Sequence, residues 1–417
     1  MREMKDSGTV WLGTIPANWD IARIGSFYRL RNTKVSDTDY PPLSVTNKGV
    51  VPQLETAAKT NAHDDRKLVK KGDFAINSRS DRRGSCGIAP CDGSVSLINT
   101  ILSPMGEMNP RYYDWLFHTI EFGDEFYKCG HGIVDDLWTT GWQDMKKILI
   151  PYPSLAEQEK IANFLDSQCF QIDAISADIQ KEIEILEQYK RSVITEAVTK
   201  GLNPDAEMKD SGVEWCPQIP SHWQYSNPKG LFGLRTDRAF RDDRQLTASQ
   251  EYGIVCQDEY MEKTGNKVVT VTKDFSILKH VEPDDFVISM RSFQGGLEYS
   301  NKRGCISSAY VMLIPNKEFV YAPFYRWFFK SSKYINALQS TSNLVRDGQA
   351  MRYANFVKVP LFIVPIEEQK AIASYLDEKI EKVNSILAAK KKQLEILSNY
   401  KKSLIYEYVT GKKEVLT

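Results

Sequence analysis

The sequence predicts an α+β protein in which two α/β domains are separated by two long helices. The helices are expected to pair as an antiparallel coiled coil and to relate the two halves by a pseudo-two-fold internal repeat. Two observations predict this architecture. Short segments near residues 3 and 207 are almost identical, and two long segments without internal Pro or Gly carry apolar residues every seven positions. A length of 417 residues suits two or three domains.

We divide the chain into four segments. Residues 1–152 hold an N-terminal arm and the first variable domain, and residues 153–205 form the central coiled-coil helix. Residues 206–364 form the second variable domain, and residues 365–417 form the distal coiled-coil helix.

The repeat is clearest at the start of each half. Residues 3–13 read EMKDSGTVWLG and residues 207–217 read EMKDSGVEWCP, and both continue to Ile-Pro, two residues and Trp. A second pair of segments begins LAEQEKIANFLD at residue 155 and IEEQKAIASYLD at residue 366, at an offset of 211 without a gap. The middles agree much less. Matched ends around unlike middles favour two different recognition modules on a constant scaffold, with a plain duplication as the alternative.

Within the variable domains, short β-like runs alternate with turn residues, and each domain ends in a helical stretch. Strands are predicted at residues 73–76, 95–102, 267–271, 286–290 and 310–314, and helices at residues 111–122 and 322–338. This is an α+β pattern.

The long segments are predicted to be coiled-coil helices. An apolar residue recurs every seven positions, which over four or more heptads is typical of a coiled coil. The seam and interface positions are Leu165, Ile172, Ile179 and Leu186 in the first helix and Leu376, Val383, Leu397 and Leu404 in the second. The residues expected to interleave with the seam of the first helix are Ile161, Ile175, Ile183 and Tyr189. In the second helix, Lys390 interrupts the seam. The alternative is that each helix packs only on its own domain.

Composition excludes several classes of protein. Lys plus Arg and Asp plus Glu both number 54, so a basic coat that binds nucleic acid by bulk charge is excluded, although a local basic face is not. There is no apolar run of about 20 residues and no apolar leader pattern at the start. The seven cysteines form no CxxC pair, so a disulfide framework is not expected. These features predict a cytoplasmic protein.

Candidate nucleic-acid contacts lie in loops of the variable domains. Arg can pair bidentately with guanine or reach phosphate, and Asn or Gln can pair with adenine. The candidate DNA-binding residues are Arg79, Ser80, Arg82 and Arg83 in the loop RSDRRGSCG, Lys48, and Arg291, Ser292 and Gln294 in the second domain. Arginines also recur every three residues from Arg235 to Arg244. The alternative is that these are solvated surface charges, and that the Arg-Ser pair caps a strand.

No catalytic or metal site emerges from the sequence. It contains no GxxxxGK[ST] loop, no GxGxxG after a strand, and no Asn/Asp-Pro-Pro-Tyr/Phe tetrapeptide of an amino-methyltransferase. The five histidines do not fall at metal-ligand spacing. We therefore predict no catalytic residue, no metal and no cofactor on this chain.

The doubled Ile-Pro-x-x-Trp motif and the doubled Pro-x-x-Glu-Gln helix start resemble the specificity (S) subunit of type I restriction-modification systems, and the resemblance covers essentially the whole chain. It implies a DNA-binding subunit that is not an enzyme. Each variable domain would be a target recognition domain that reads one half of a bipartite, asymmetric DNA site.

The resemblance also implies partners. The helices would set the spacer between the half-sites and dock two methyltransferase (M) subunits, which bring S-adenosylmethionine and methylate adenine. Restriction (R) subunits would add ATP-dependent cleavage. The rival interpretation is a two-module coiled-coil scaffold that binds no DNA.

Overall fold

The computed structural model describes residues 2–53, 64–79, 82–132, 138–249, 252–271, 275–288, 297–341 and 352–415. Its contacts divide the chain into two compact units. Unit 1 comprises Met1–Gln180 and Lys392–Thr417, and unit 2 comprises Lys181–Lys391. Each unit therefore contains one variable domain and parts of both long helices. The four-segment division of the sequence stays a prediction.

Unit 1 contains thirteen strands in the residues described, three short helices and the start of the first long helix. The strands are β1 Met4–Asp6, β2 Thr14–Pro16, β3 Asp20–Arg23, β4 Tyr28–Arg31, β5 Lys34–Val35, β6 Leu43–Thr46, β7 Gly49–Pro52, β8 Arg66–Val69, β9 Phe74–Asn77, β10 Cys86–Ile88, β11 Gly93–Ser96, β12 Asn99–Pro104 and β13 Leu149–Tyr152. The helices are α1 Pro110–Phe117, α2 Ile120–Lys128, α3 Trp142–Met145 and α4 Leu155–Lys200, which continues into unit 2.

Unit 2 contains twelve strands in the residues described. They are β14 Met208–Asp210, β15 Gln218–Pro220, β16 Gln224–Ser226, β17 Phe232–Arg235, β18 Leu246–Ser249, β19 Gly253–Cys256, β20 Lys279–Val281, β21 Phe286–Ile288, β22 Glu298–Tyr299, β23 Gly304–Ile306, β24 Val311–Pro315 and β25 Leu361–Ile363. The helices are α5 Pro228–Leu231, α6 Gln257–Thr264, α7 Ala322–Phe328, α8 Ser332–Ser340, α9 Tyr353–Phe356 and α10 Ile366–Val409, which continues into unit 1.

The strand order repeats between the units. The central antiparallel sheet has the order β10-β9-β12-β4 in unit 1 and β22-β21-β24-β17 in unit 2. The hairpins β6–β7 and β18–β19 correspond, as do the pairs β8–β11 and β20–β23, and β3–β13 and β16–β25. Both variable domains thus have one topology, which confirms the mixed helix-and-sheet fold with an internal repeat.

Each unit has one large apolar core that the long helices help to complete. In unit 1 the core includes Ile161 and Leu165 of α4 and Leu404 and Val409 of α10. In unit 2 it includes the corresponding ends of the same helices, from Ile194 to Val198 and from Ile372 to Ile380. Both Trp residues of the repeated motif, Trp19 and Trp223, are fully buried. The helix ends therefore pack on the domains as well as on each other.

The long helices run antiparallel within each unit. In unit 1, the Phe164 and Tyr408 rings lie 4.5 Å apart and Lys401 bonds Asp173 at 2.6 Å. As the number rises along α4, the number of its partner on α10 falls.

Unit 2 follows the same rule. Lys190 donates to Asn384 at 2.7 Å, and Lys390 pairs with Glu182 at 2.5 Å. The Lys that interrupts the heptad pattern is therefore neutralised across the helix pair.

The predicted seam positions Leu165, Ile172, Leu376, Val383 and Leu404 are buried, and Ile179, Leu186 and Leu397 are half-buried. Of the residues expected to interleave with them, Ile161 and Ile183 are buried. The expectation was wrong for Ile175 and Tyr189, because both are largely exposed. A two-helix seam covers only a narrow stripe, so positions flanking it remain in solvent.

Four predicted elements need correction. The run 95–102 is two strands separated by a turn, and the helical stretches 111–122 and 322–338 are each two helices. Thr119 ends the first stretch because its side chain accepts the Phe122 N–H at 3.2 Å and starts α2. The run 267–271 is not a strand, since the Gln245 side chain bonds both the N–H and the C=O of Val271.

In the part of the chain described, none of the helices is both long and apolar enough to cross a membrane. Within those residues, His, Cys, Asp and Glu side chains also form no group of three or more that could hold a metal ion.

Candidate nucleic-acid interface

A bidentate ion pair anchors the central sheet of each unit just before the candidate loops. Arg31 donates to Asp73 at 2.6 and 3.1 Å, and Arg235 donates to Asp285 at the same two distances. Both carboxylates are almost fully buried. Burial raises the pKa of Asp285, although Arg235 opposes the shift, and the bond to Asp73 raises the pKa of Arg31.

These ion pairs fix the entrances to β9 and β21, because each Asp directly precedes its strand. Asp73 also accepts the Lys70 N–H at 2.8 Å, and Asp285 accepts the Glu282 N–H at 2.9 Å. The sequence-predicted Arg79 follows β9, so its loop leaves a strand whose entrance is fixed by this ion pair.

The repeated helix start links each variable domain to its long helix. The Trp19 indole donates to Glu157 at 2.8 Å, and the Trp223 indole donates to Glu368 at 3.0 Å. This bond explains why both the Ile-Pro-x-x-Trp motif and the Glu-Gln pair occur twice.

The Gln of each Glu-Gln pair is fully buried and holds the loop before the helix. Gln158 donates to Pro153 O at 2.9 Å and accepts the Asn109 N–H at 2.8 Å. Gln369 donates to Val364 O and accepts the Tyr321 N–H, each at 2.8 Å.

A third repeated contact joins the domain helices to the long helices. Trp115 donates to Asp166 at 2.8 Å in unit 1, and Trp327 donates to Asp377 at 2.7 Å in unit 2. Because an indole N–H seated on a carboxylate fixes the ring, these bonds orient each variable domain on its own part of the helix pair.

The arginine loop of unit 1 lies between β9 and β10. Arg79 is half-buried, and its N–H donates to Asn77 Oδ1 at 3.1 Å, while its C=O accepts the Arg82 N–H at 3.2 Å. Arg82 is exposed. Arg83 pairs with Asp124 at 2.8 Å and lies 5.3 Å from the Tyr127 ring centroid.

The structure brings Lys48 to the same region. Lys48 is exposed in the turn between β6 and β7. The next residue, Gly49, approaches Gly87 of β10 so closely that a Cβ on Gly87 would lie 2.7 Å from the Gly49 Cα. The turn with Lys48 therefore packs on the strand that closes the arginine loop. Ser80, Arg291, Ser292 and Gln294 lie outside the described residues.

Comparisons with known proteins agree with this construction. Residues 220–396 match the family model described as type I restriction modification DNA specificity domain. The type I restriction enzyme MjaVIII specificity subunit of Methanocaldococcus jannaschii is 22% identical, over 96% of this chain and 94% of that protein. Residues 220–396 carry this specificity domain, and nearly the whole chain is similar to a type I specificity subunit.

A second relative matches a smaller part of this chain. The protein named as the MjaX specificity subunit, from the same organism, is 26% identical over 66% of this chain, and the match spans 61% of that relative's length. Both relatives are named as specificity subunits of type I restriction enzymes, which agrees with a role in DNA sequence specificity.

Solved structures support the fold. A chain from a study of complex assembly and conformational transition of the type I R-M system superposes with a TM-score of 0.71, at 14% identity, over 96% of this chain and 99% of that one. The HsdS subunit from Thermoanaerobacter tengcongensis superposes with a TM-score of 0.51, at 15% identity, over 96% and 98%.

Three of the four arginines that recur every three residues in the second variable domain contact their own unit. Arg235 forms the buried anchor, Arg238 bonds Ile277 O at 3.2 Å, and Arg244 pairs with Asp258 at 2.7 Å. Arg241 and Arg244 are exposed, and a contact of this row with DNA stays a prediction.

Sequence reasoning missed a buried histidine in unit 2. His280 of β20 is held between Asp243 and Glu282, with both contacts at 2.7 Å. Burial opposes its charge, but the bonds to Glu282 and Asp243 raise the pKa of His280 overall. Asp243 lies 37 residues away in the sequence, so spacing gave no signal for this cluster.

Proposed function

We propose that each unit reads one half of a bipartite, asymmetric DNA sequence and that the two long helices set the spacer between the halves. The observation that supports this most directly is that the two variable domains share one strand topology and the same Arg–Asp anchor but differ in the side chains around it. The hairpin turn between β6 and β7 carries Lys48, whereas the corresponding turn carries Tyr252. Two such modules would read two unlike half-sites.

For the first half-site, we propose contacts from Arg79, Ser80, Arg82, Arg83 and Lys48. The turn before β7 packs through Gly49 on Gly87 of β10, the strand that closes the loop after β9. Arginines on such a surface can reach both guanine edges and phosphate.

For the second half-site, we propose Arg291, Ser292 and Gln294, because they follow the Asp285 anchor as Arg79 follows Asp73.

We further propose that this chain works in a complex with two M subunits and with R subunits. S-adenosylmethionine and ATP would be held by those partners, and this chain would contribute only recognition. A near-zero net charge is compatible with this arrangement, because partner subunits would share the contact with the DNA phosphates.

The test is to co-express the chain with its M subunit in cells that lack adenine methylation and to sequence N6-methyladenine across the genome. One bipartite motif with a fixed spacer is the expected result. Cells that express the M subunit alone are the control. A stable complex that leaves DNA unmethylated at any defined motif, and that does not bind DNA, would favour the scaffold interpretation.

The role of the helices has its own test. Insertion of one heptad into both helices, after Gln180 and after Lys391, should lengthen the spacer and leave both half-sites unchanged. Seven residues add about 10 Å of helix, which corresponds to roughly three base pairs. A change in half-site sequence would contradict the proposal.

A further inference from the structure

A short turn joins the smaller sheet of each variable domain to its central sheet, and the side chains at its tip differ between the units. In unit 1 the tip is Leu97 and Ile98, between β11 and β12. In unit 2, at an offset of 211, it is Ser308 and Ala309, between β23 and β24. Leu97 is 36% exposed and Ile98 is 43% exposed. We call the pair in unit 1 the apolar turn and the pair in unit 2 the small turn.

The backbone of both turns is held in the same way. Lys67 of β8 donates to Asn99 O at 2.8 Å, and Lys279 of β20 donates to Tyr310 O at 2.7 Å. Asn99 and Tyr310 each directly follow the tip. The frame of the turn is therefore common to both units, and the two side chains at its tip are what changes.

The apolar turn borders the start of the candidate arginine loop. The Ser78 N–H donates to Ile98 O at 3.3 Å, and the hydroxyls of Ser78 and Thr100 lie 3.0 Å apart. Ser78 directly precedes Arg79. Any DNA bound at Arg79 would therefore lie beside the apolar turn.

The lysine that holds each turn favours an anionic ligand there. Within the described residues, neither Lys67 nor Lys279 pairs with a carboxylate. Burial lowers the pKa of both lysines, because the ammonium group loses part of its hydration without gaining a counter-ion. A nearby phosphate would offset this cost, so both turns suit the backbone of DNA.

The difference between the tips indicates what they contact. A partner protein that bound both halves in the same way would need the same side chains at both turns. A common frame with unlike tips is instead what two unlike half-sites require. Leu97 and Ile98 carry only apolar groups, and the one apolar group that a base pair shows in the major groove is the C5-methyl of thymine.

We propose that Leu97 and Ile98 read thymine in one half-site by packing on its C5-methyl group in the major groove, beside the contacts of the arginine loop. This inference rests on the proposed function, and it adds the base that unit 1 recognises and the side chains that recognise it. The small turn offers one hydroxyl and one methyl group in place of this apolar surface.

The experiment uses the full-length chain in complex with the M subunit and a DNA duplex that carries the motif found by N6-methyladenine sequencing. Each thymine is replaced in turn by uracil, which lacks only the C5-methyl group. At one or two thymines of one half-site, uracil should weaken binding by wild type about fourfold, which is about 0.8 kcal/mol for one buried methyl group. Competition between the two duplexes measures the ratio.

The decisive variant combines Leu97→Ser with Ile98→Ala, which gives unit 1 the turn of unit 2. It should bind the thymine and uracil duplexes equally at those positions and leave the other half-site unaffected. The common frame accepts this pair in unit 2, so the fold should persist, and thermal unfolding checks that it does.

The matched control is Leu30→Ser. Leu30 of β4 is 38% exposed, close to Leu97, but its counterpart in unit 2 is the similarly exposed Leu234. Because this position does not differ between the units, Leu30→Ser should keep the full preference for thymine over uracil.

Four results would overturn the inference, and they are distinguishable. Uracil tolerated at every thymine, or a preference for thymine that survives in the turn variant, would exclude the methyl contact and leave the proposed function intact. A folded turn variant that binds all DNA more weakly and still prefers thymine would show a contact that reads no base. A turn variant that no longer binds the M subunit would assign the apolar turn to a protein interface. A wild-type complex without preference for any bipartite motif would remove the proposed function and the inference with it.

Discussion

The two units form the same skeleton with different side chains around it. The anchors Arg31–Asp73 and Arg235–Asp285 have identical bond lengths, and the Trp-to-Glu bonds differ by only 0.2 Å, from 2.8 to 3.0 Å. One strand away, the units diverge. Leu68 of β8 faces Ser94 of β11, whereas its counterpart His280 faces Cys305 of β23.

This difference shows which contacts both copies of the repeat retain. Contacts that orient a domain on the helix pair survived in both copies, because losing one leaves a buried polar group unpaired. Contacts inside the smaller sheet changed freely, because an apolar packing and an ionic cluster can each fill the same place. The proposed function requires this separation, since new DNA targets must not disturb the scaffold.

The largest losses of folding stability are expected at the two Arg–Asp anchors. Asp285→Ala should destabilise unit 2 by about 3–5 kcal/mol, because the largely buried Arg235 would lose its buried carboxylate and keep only the exposed Asp237 as a partner. Asp73→Ala should cost unit 1 a similar amount, since Arg31 has the same two bonds. Hydrogen exchange resolved by segment would measure each loss in its own unit. An effect of under 1 kcal/mol in either variant would show that the two anchors are not equivalent.

The sequence was sufficient to predict the parts in which one residue type repeats at a fixed offset. The helices, their seam and the repeated motifs follow from Leu165, Leu376 and the two Trp residues. It could not predict that Asp285 binds Arg235, because a buried ion pair between strands has no spacing rule. It also could not predict that Ile172 is buried and Ile175 is exposed. The two residues are three positions apart on one helix, and the width of the seam decides whether the second one is covered.

The candidate site was predictable only in outline. The loop that carries Arg79 is found from composition, but its neighbour Lys48 is brought there by the approach of Gly49 to Gly87. That contact depends on tertiary packing, which a single sequence does not display.

The His280 cluster predicts that the stability of unit 2 depends on pH in a way that the stability of unit 1 does not. The folded pKa of His280 is raised above its ordinary value of 6.5, so its contribution to stability is fully present below pH 6.5 and is lost as pH rises through the folded pKa. Unit 2 should therefore lose protection from hydrogen exchange with rising pH relative to unit 1, which has Leu68 at this position.

His280→Gln should remove most of this pH dependence and cost unit 2 about 1.5–3 kcal/mol, the value of a hydrogen bond to a charged group. Segment-resolved exchange at several pH values would measure both effects, with unit 1 of the same molecule as the internal control. The role assigned to His280 is excluded if both units respond equally to pH.

A smaller difference in stability between the units is expected at the two glycines that follow the long helices. Gly201 and Gly411 both have positive φ, of 76° and 70°, so an Ala at either position costs roughly 1 kcal/mol of backbone strain. A Cβ on Gly411 would lie 2.5 Å from the rigid Pro16 ring, whereas a Cβ on Gly201 would meet the movable Glu368 carboxylate at 2.8 Å. Gly411→Ala should therefore cost about 1 kcal/mol more than Gly201→Ala.

Thermal or urea unfolding of the two variants, made in the same background, would measure this difference. Equal costs would mean that Pro16 moves aside as readily as the Glu368 side chain.

The smallest effect on folding is expected at Arg83. Arg83→Ala removes an exposed pair with Asp124 and should change stability by less than about 1 kcal/mol. Its effect on DNA should be larger and confined to one half-site, because a bidentate contact with a base discriminates by about 1–3 kcal/mol. The matched control is Arg191→Ala, which changes an exposed arginine on α4 that is not a candidate DNA contact. Competition between DNAs with one half-site scrambled would show whether Arg83 contacts a base, contacts phosphate or contacts no DNA.

Weaker binding to every DNA would identify a phosphate contact, since phosphates are the same in all sequences. Unchanged binding would assign Arg83 to the loop's own packing with Asp124 and Tyr127. Loss at the first half-site alone would place the reading surface of unit 1 on the loop after β9, and the equivalent loop of unit 2 would then be tested by Arg291→Ala.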